Sequence, residues 1–113
     1  MSENKNMVNT YRQQLMFLSQ QKQQLQLQTN ILSNTIKELE STKETKVYKG
    51  VGNVFILSDK EDVLKQTKDN KETLDLKLKN VEKQEEDTLK RLNDLSKDNK
   101  DVKQTDNNTE GIA

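Results

Sequence analysis

The middle of the chain reads Val47-Tyr48-Lys49-Gly50-Val51-Gly52-Asn53-Val54-Phe55-Ile56-Leu57. β-Branched and aromatic residues surround the Gly-Val-Gly-Asn centre, and this composition predicts two short strands joined by a turn. Alternation along the second strand puts Phe55 and Leu57 on one face and Val54 and Ile56 on the other. A two-stranded hairpin is marginally stable on its own in water. Because both of its faces carry apolar side chains, we expect this hairpin to pair with strands of other chains.

Heptad repeats lie on both sides of this segment. From Val8 onward, core positions recur at alternating spacings of three and four residues, and every d position of this first run is apolar. Sustained a/d periodicity over more than three or four heptads predicts a coiled coil rather than a helix of a globular domain. The a positions are Val8, Leu15, Lys22, Thr29 and Ile36, and the d positions are Tyr11, Leu18, Leu25, Leu32 and Leu39.

The second heptad run, which follows the hairpin, is weaker because polar and charged residues interrupt it. Leu76 and Leu89 lie outside its stripe, which indicates either contact with a second neighbour or a slightly irregular register; both interpretations stay open. The a positions are Leu64, Lys71, Leu78, Glu85, Leu92 and Asn99, and the d positions are Thr67, Leu74, Val81, Thr88, Leu95 and Val102.

These features together predict a mainly α fold: an antiparallel two-helix coiled-coil hairpin with a short β-hairpin between the helices. We expect one domain over residues 1–103, with helices at about 5–44 and 59–102, the β-hairpin at about 47–57, and a disordered tail over 104–113. Ser58 followed by Glu61 has the spacing of a capping box, with Asp59 and Asp62 adding negative charge to the first turn of the second helix.

The antiparallel arrangement sets a register in which Leu25 faces Leu78 and Leu32 faces Lys71. Lys22 and Glu85 then occupy adjacent core layers. They either pair along the seam, where they would fix the register, or extend outward separately into solvent. Both alternatives are compatible with the sequence.

Composition excludes most catalytic chemistry. Only 29% of the residues are hydrophobic, 34% are charged, and the mean hydropathy is −1.10. Cysteine and histidine are absent, so thiol nucleophiles, disulfides, Cys/His metal sites and histidine bases are impossible. We therefore expect no enzyme activity, no cofactor, no metal and no catalytic residue. The formal net charge is zero, which argues against nucleic acid and membrane surfaces as partners, and the absence of an apolar targeting segment favours the cytoplasm.

Two plainer alternatives are less favoured. The central segment could be an apolar helix–helix loop, but such connections need only about 2–8 mostly polar residues. The whole chain could be a structural coiled-coil tether or a cytoskeletal adaptor. A tether should tolerate replacement of the central segment by a flexible loop, whereas a chain that assembles through its hairpin should not.

The order helix, strand, turn, strand, helix resembles the β-type subunits of prefoldin. The specific motifs are VYK-x-x-GN from Val47 to Asn53, FIL-x-DK from Phe55 to Lys60, and KELES from Lys37 to Ser41. The latter two are most similar to eukaryotic prefoldin subunit 1. The resemblance covers residues 5–100 in layout, while its specific motifs are confined to the hairpin and its flanks.

This resemblance implies an ATP-independent co-chaperone. Two α-type and four β-type subunits would assemble through their hairpins into a hexamer, and the distal ends of the coiled coils would hold unfolded clients such as actin and tubulin for delivery to the cytosolic chaperonin. Assembly is expected to involve Val47, Tyr48, Val51, Val54, Phe55, Ile56 and Leu57. Client contact is expected at the free end of the coiled coil, at Met7, Tyr11, Leu15, Met16, Phe17, Leu92 and Leu95.

Met16 and Phe17 are candidates for client contact also on their heptad positions alone, independently of the resemblance. They occupy b and c positions of the first heptad run and so face away from the predicted seam. An exposed pair of Met and Phe suits adaptable binding to varied apolar segments. Packing against a neighbouring coiled coil, or a local irregularity of the helix, would explain the same positions.

Overall fold

A computed structural model of the protein describes the backbone of residues 2–103 and the side chains of residues 4–96. Helix α1 runs over Ser2–Ser41, strand β1 over Lys46–Val51, strand β2 over Val54–Asp59 and helix α2 over Lys60–Lys103. The predicted fold class is confirmed. The predicted tail, 104–113, and the side chains of Asn99 and Val102 lie outside the described residues.

The chain divides into two compact units. Within the described residues, the terminal unit comprises 2–22 and 80–103, and the central unit comprises Gln23–Lys79. In the central unit, Lys68 Nζ lies 3.2 Å from Glu40 Oε2 and Lys60 Nζ lies 3.2 Å from the Thr42 carbonyl oxygen. The end of α1 and the residues just after it thus contact the N-terminal part of α2. This is the antiparallel arrangement expected of a helical hairpin.

The predicted heptads coincide with the buried stripe of each helix. Every described a and d residue is buried or half-buried, whereas nearly all other positions of α1 and α2 are exposed. Leu18, Leu39 and Val81 are the most buried apolar residues, and none of the described large side chains is fully enclosed. A pair of helices buries only a narrow seam, so the low apolar content of the sequence is sufficient for this fold.

Threonines fill several of the most buried positions. Thr29, Thr67 and Thr88 are all buried. Each hydroxyl donates a hydrogen bond to a backbone carbonyl of its own helix, at Gln26, Val63 and Gln84 respectively. The hydroxyls are therefore satisfied locally, and the methyl groups remain available for packing in the seam.

The junctions between helices and strands differ from the sequence-based expectation. Helix α1 ends at Ser41, earlier than predicted, and the lysines that follow lie outside its last turn. The prediction of a capping box at Ser58 is wrong, because Ser58 belongs to β2 and its hydroxyl donates to the Ile56 carbonyl. Glu61 and Asp62 supply the negative charge of the first turn of α2, and Asp59 is the last residue of β2.

Candidate functional site

The β-hairpin of the central unit carries six of the thirteen exposed large apolar side chains among the described residues. Its strands pair antiparallel from Lys46 opposite Asp59 to Val51 opposite Val54. Gly52 and Asn53 form the two-residue turn, and Gly52 has a φ of 61°, a left-handed conformation that glycine adopts at little cost. The sequence thus builds a short, tight hairpin of two six-residue strands.

One face of the hairpin is aromatic. Directly opposed residues share a face, so Tyr48 stands beside Leu57 and Gly50 lies opposite Phe55. Tyr48 is 72% exposed and Phe55 is 77% exposed. A Cβ atom on Gly50 would lie 3.5 Å from the Phe55 ring, so the ring extends over the glycine. The result is a prominent apolar surface that the described chain does not cover.

The opposite face is aliphatic and only partly covered. Val51, Val54 and Ile56 are exposed there, whereas Val47 and Lys49 are half-buried. The sheet contains only β1 and β2 within residues 2–103, so each strand keeps one unpaired edge. Unpaired edges present backbone donors and acceptors to any strand that approaches. Both faces and both edges can therefore take part in association.

Polar contacts fix the hairpin on the helices. The Lys60 backbone N–H donates to the Thr45 carbonyl oxygen at 2.9 Å, and Lys60 Nζ donates to the Thr42 carbonyl oxygen beyond the end of α1. Lys49 Nζ donates to Gln66 Oε1 on α2 at 2.6 Å. Lys46 forms an ion pair with Asp59 at the base of the hairpin. The charged groups of the hairpin are thus engaged with partners at its base and on α2, and the apolar side chains are left as the accessible surface.

The second predicted site, in the terminal unit, is only partly exposed. Met7, Met16 and Phe17 are exposed. The other four predicted client-contact residues occupy a or d positions and are half-buried in the seam, which leaves less of each side chain available to a client; they are Tyr11, Leu15, Leu92 and Leu95. The exposed part of this site is therefore formed by α1.

Sequence reasoning missed two exposed apolar residues on α1 in the central unit. Leu27 and Ile31 lie one turn apart, at f and c positions of the heptad, and both are exposed. Their heptad positions were the available signal, since an apolar residue at c or f cannot belong to an a/d seam. Leu76 and Leu89, which the sequence did single out, are exposed as well.

Comparison with known proteins identifies the family. The family model "Prefoldin subunit" matches residues 2–106. The chain is 36% identical to the prefoldin subunit beta of Thermococcus onnurineus over 87 residues, which cover 76% of this chain and 75% of that protein. It is 40% identical to the prefoldin subunit beta of Methanothrix thermoacetophila over 84 residues, which cover 74% of this chain and 70% of that protein.

A solved structure agrees with these matches. The crystal structure of the prefoldin beta subunit from Thermococcus strain KS-1 matches with a TM-score of 0.83 and 28% identity, covering 90% of this chain and 93% of that one. The fold, the hairpin and the sequence relatives all point to the same assignment. The chain belongs to the prefoldin family of chaperones and is a β-type subunit.

Proposed function

We propose that the chain uses its β-hairpin to join two α-type and three further β-type subunits in a hexamer that captures unfolded proteins. In this proposal the complex holds clients such as actin and tubulin without ATP and passes them to the cytosolic chaperonin. The proposal is consistent with a family of non-enzymatic chaperones. The cytoplasm is the corresponding compartment. Within residues 2–103, no helix has the length and apolar character needed to cross a membrane.

One observation carries the assembly step: the hairpin exposes apolar side chains on both faces. Covering one large apolar side chain is worth roughly 1.5–3 kcal/mol. Tyr48, Phe55 and Leu57 on one face, with Val54 and Ile56 on the other, would supply several such contributions if strands of other subunits covered them. Val47 and Val51 would complete the contact at the ends of β1.

The assembly step can be tested by placing a charge on the hairpin. Phe55→Asp should reduce recovery of the chain with tagged partner subunits by at least about tenfold, because the variant loses apolar burial and places a carboxylate in the contact. Circular dichroism of the isolated chain should retain most of its helical signal, since Phe55 lies outside both helices.

The second phenylalanine of the chain provides a matched control. Phe17 is also exposed but lies on α1 in the terminal unit. Phe17→Asp introduces the same charge at a comparable exposed ring and should leave recovery with partner subunits unchanged. If Phe55→Asp elutes with partners at the wild-type yield, the hairpin is not the assembly surface.

Client capture requires a second surface, and the exposed side chains of the terminal unit suit it. Met7, Met16 and Phe17 are flexible or aromatic apolar groups on one helix. Such groups adapt to varied apolar segments. The half-buried residues Tyr11, Leu15, Leu92 and Leu95 would contribute mainly by supporting the helices beneath them.

A further inference from the structure

Helix α1 carries an uncharged outer face in the central unit. Gln24, Leu27, Gln28, Ile31 and Asn34 are all exposed and lie away from the a/d seam; we name this set the amide strip. Leu27 is 62% exposed and Ile31 is 55% exposed. An outward-facing surface on a coiled coil is normally occupied by charged residues, so these two apolar side chains are unusual.

The absence of charge extends beyond the strip. No residue from Gln23 to Ile36 is charged, whereas the part of α2 in the same unit is dense in Lys, Asp and Glu. Among the described residues, the side-chain amides of Gln24, Gln28 and Asn34 form no hydrogen bond with another part of the chain. The strip therefore offers free amide donors and acceptors around two apolar contacts.

These groups match the chemistry of an unfolded polypeptide. A non-native segment exposes apolar side chains together with backbone N–H and C=O groups, and glutamine and asparagine amides can both donate to and accept from such groups. Burial of an uncharged strip avoids the large desolvation cost of buried ions. Nucleic acid would require basic residues, which this face lacks.

The length of the amide strip also suits a short extended peptide segment. Gln24 to Asn34 spans about 15 Å at 1.5 Å per helical residue. An extended segment of about four or five residues has the same length. We infer that the amide strip is an additional client-binding surface, which holds a short, uncharged apolar segment of a non-native chain. This inference rests on the proposed function, since it assigns to the same clients a surface in addition to that of the terminal unit.

The test uses the assembled complex and a permanently unfolded probe, reduced and carboxymethylated α-lactalbumin carrying a fluorescent label. Leu27→Gln combined with Ile31→Gln removes both apolar contacts, keeps the strip uncharged and replaces residues with a good helix former. Fluorescence anisotropy should show binding about threefold to tenfold weaker than wild type, because two partly covered apolar groups are lost. Leu76→Gln is the matched control, since Leu76 is similarly exposed but lies on the charged helix of the same unit. It should bind like wild type.

Each outcome has a separate meaning. If wild-type complex binds the probe and the double variant binds equally well, the inference is overturned and the proposed function stands. If assembled wild-type complex does not bind the probe at all, the proposed function fails and the inference fails with it. If the double variant instead lowers the mass of the isolated chain or of the complex in light scattering, the strip is a contact between copies, which overturns its assignment to clients.

Discussion

Lys22 Nζ donates a hydrogen bond to Glu85 Oε1 at 2.8 Å, joining α1 to α2 within the terminal unit. Both residues occupy a positions, where apolar side chains are usual, and their side chains are only 29% and 22% exposed. Of the two alternatives that the sequence left open, the structure contains the pairing. Because each charge is half-buried, each depends on the other for a partner, and a shifted register would separate them.

This dependence predicts coupling between the two residues. Lys22→Met and Glu85→Met should each lower the thermal unfolding temperature, because each leaves an unpaired charge in the seam. The double variant should be at least as stable as the better single variant, because it places two apolar residues at core positions. Thermal unfolding of all four chains measures the coupling.

The exposed ion pair between Glu40 and Lys68 provides the comparison for this double-mutant cycle of Lys22 and Glu85. Both of its side chains are about half exposed, and the charged atoms lie 3.2 Å apart. Exposed pairs contribute about 0–1 kcal/mol, so the corresponding cycle of Glu40 and Lys68 should show little coupling. Equal coupling in the two cycles would argue against a special role for Lys22 and Glu85 in fixing the register.

The same contact predicts a dependence of stability on pH. The hydrogen bond and the charge of Glu85 raise the pKa of Lys22 above its ordinary value of 10.5, with a smaller contribution from Glu82, while partial burial opposes the shift. A raised pKa in the folded state stabilises the fold at pH values below 10.5, and this contribution is lost as the pH rises through the folded-state pKa. The difference in unfolding temperature between wild type and Lys22→Met should therefore be constant near neutral pH and shrink in this alkaline range. A difference in unfolding temperature that stays unchanged in the alkaline range would contradict a stabilising contact between Lys22 and Glu85. The other lysines titrate in both proteins, so their effect cancels in the difference.

The buried threonines of α2 predict stabilising substitutions. Thr67→Val and Thr88→Val each replace a buried hydroxyl by a methyl group, and the backbone carbonyl that each hydroxyl contacts keeps its place in the helix. Each should raise stability by about 1 kcal/mol in urea unfolding, through added apolar burial. Thr73→Val is the matched control, because Thr73 makes the same kind of bond to Asp69 but is exposed. It should be neutral or slightly destabilising.

Heptad periodicity was sufficient to predict both helices and their buried face, because the a/d rule depends only on spacing. The junctions between helices and strands were harder to predict, because tertiary contacts determine them. Lys60 donates hydrogen bonds to the carbonyl oxygens of Thr45 and Thr42, and Ser58 lies in β2 instead of capping a helix. The exposure of Leu27 and Ile31 follows from their f and c positions once the heptads are assigned, although no short motif marks them among the surrounding helix formers.

The turn of the hairpin predicts a clear difference between two substitutions. Gly52 has a positive φ, and an added Cβ would meet nothing within 4 Å, so any penalty comes from the backbone rather than from a clash. Gly52→Val should destabilise the turn by about 1–2 kcal/mol and lower the recovery of the chain with partner subunits. Gly52→Asn should assemble nearly normally, because asparagine tolerates this conformation better. Equal recovery of both variants would show that the turn conformation does not limit assembly.

The last prediction concerns client contact at the terminal unit. Met16 and Phe17 are both exposed and face away from the seam, so changing them should leave the coiled coil intact. Contact at any one such site is weak, and binding gains strength when several subunits engage one client. Met16→Ser or Phe17→Ser alone should therefore reduce protection only modestly, whereas the double variant should reduce it clearly. The measurement is suppression of aggregation of a denatured client by the assembled complex, with assembly verified by size exclusion. Met16→Leu combined with Phe17→Leu is the matched control, because it keeps two exposed apolar side chains and should retain most of the protection. Full protection by an intact complex carrying both serines would reject the proposal that Met16 and Phe17 hold clients.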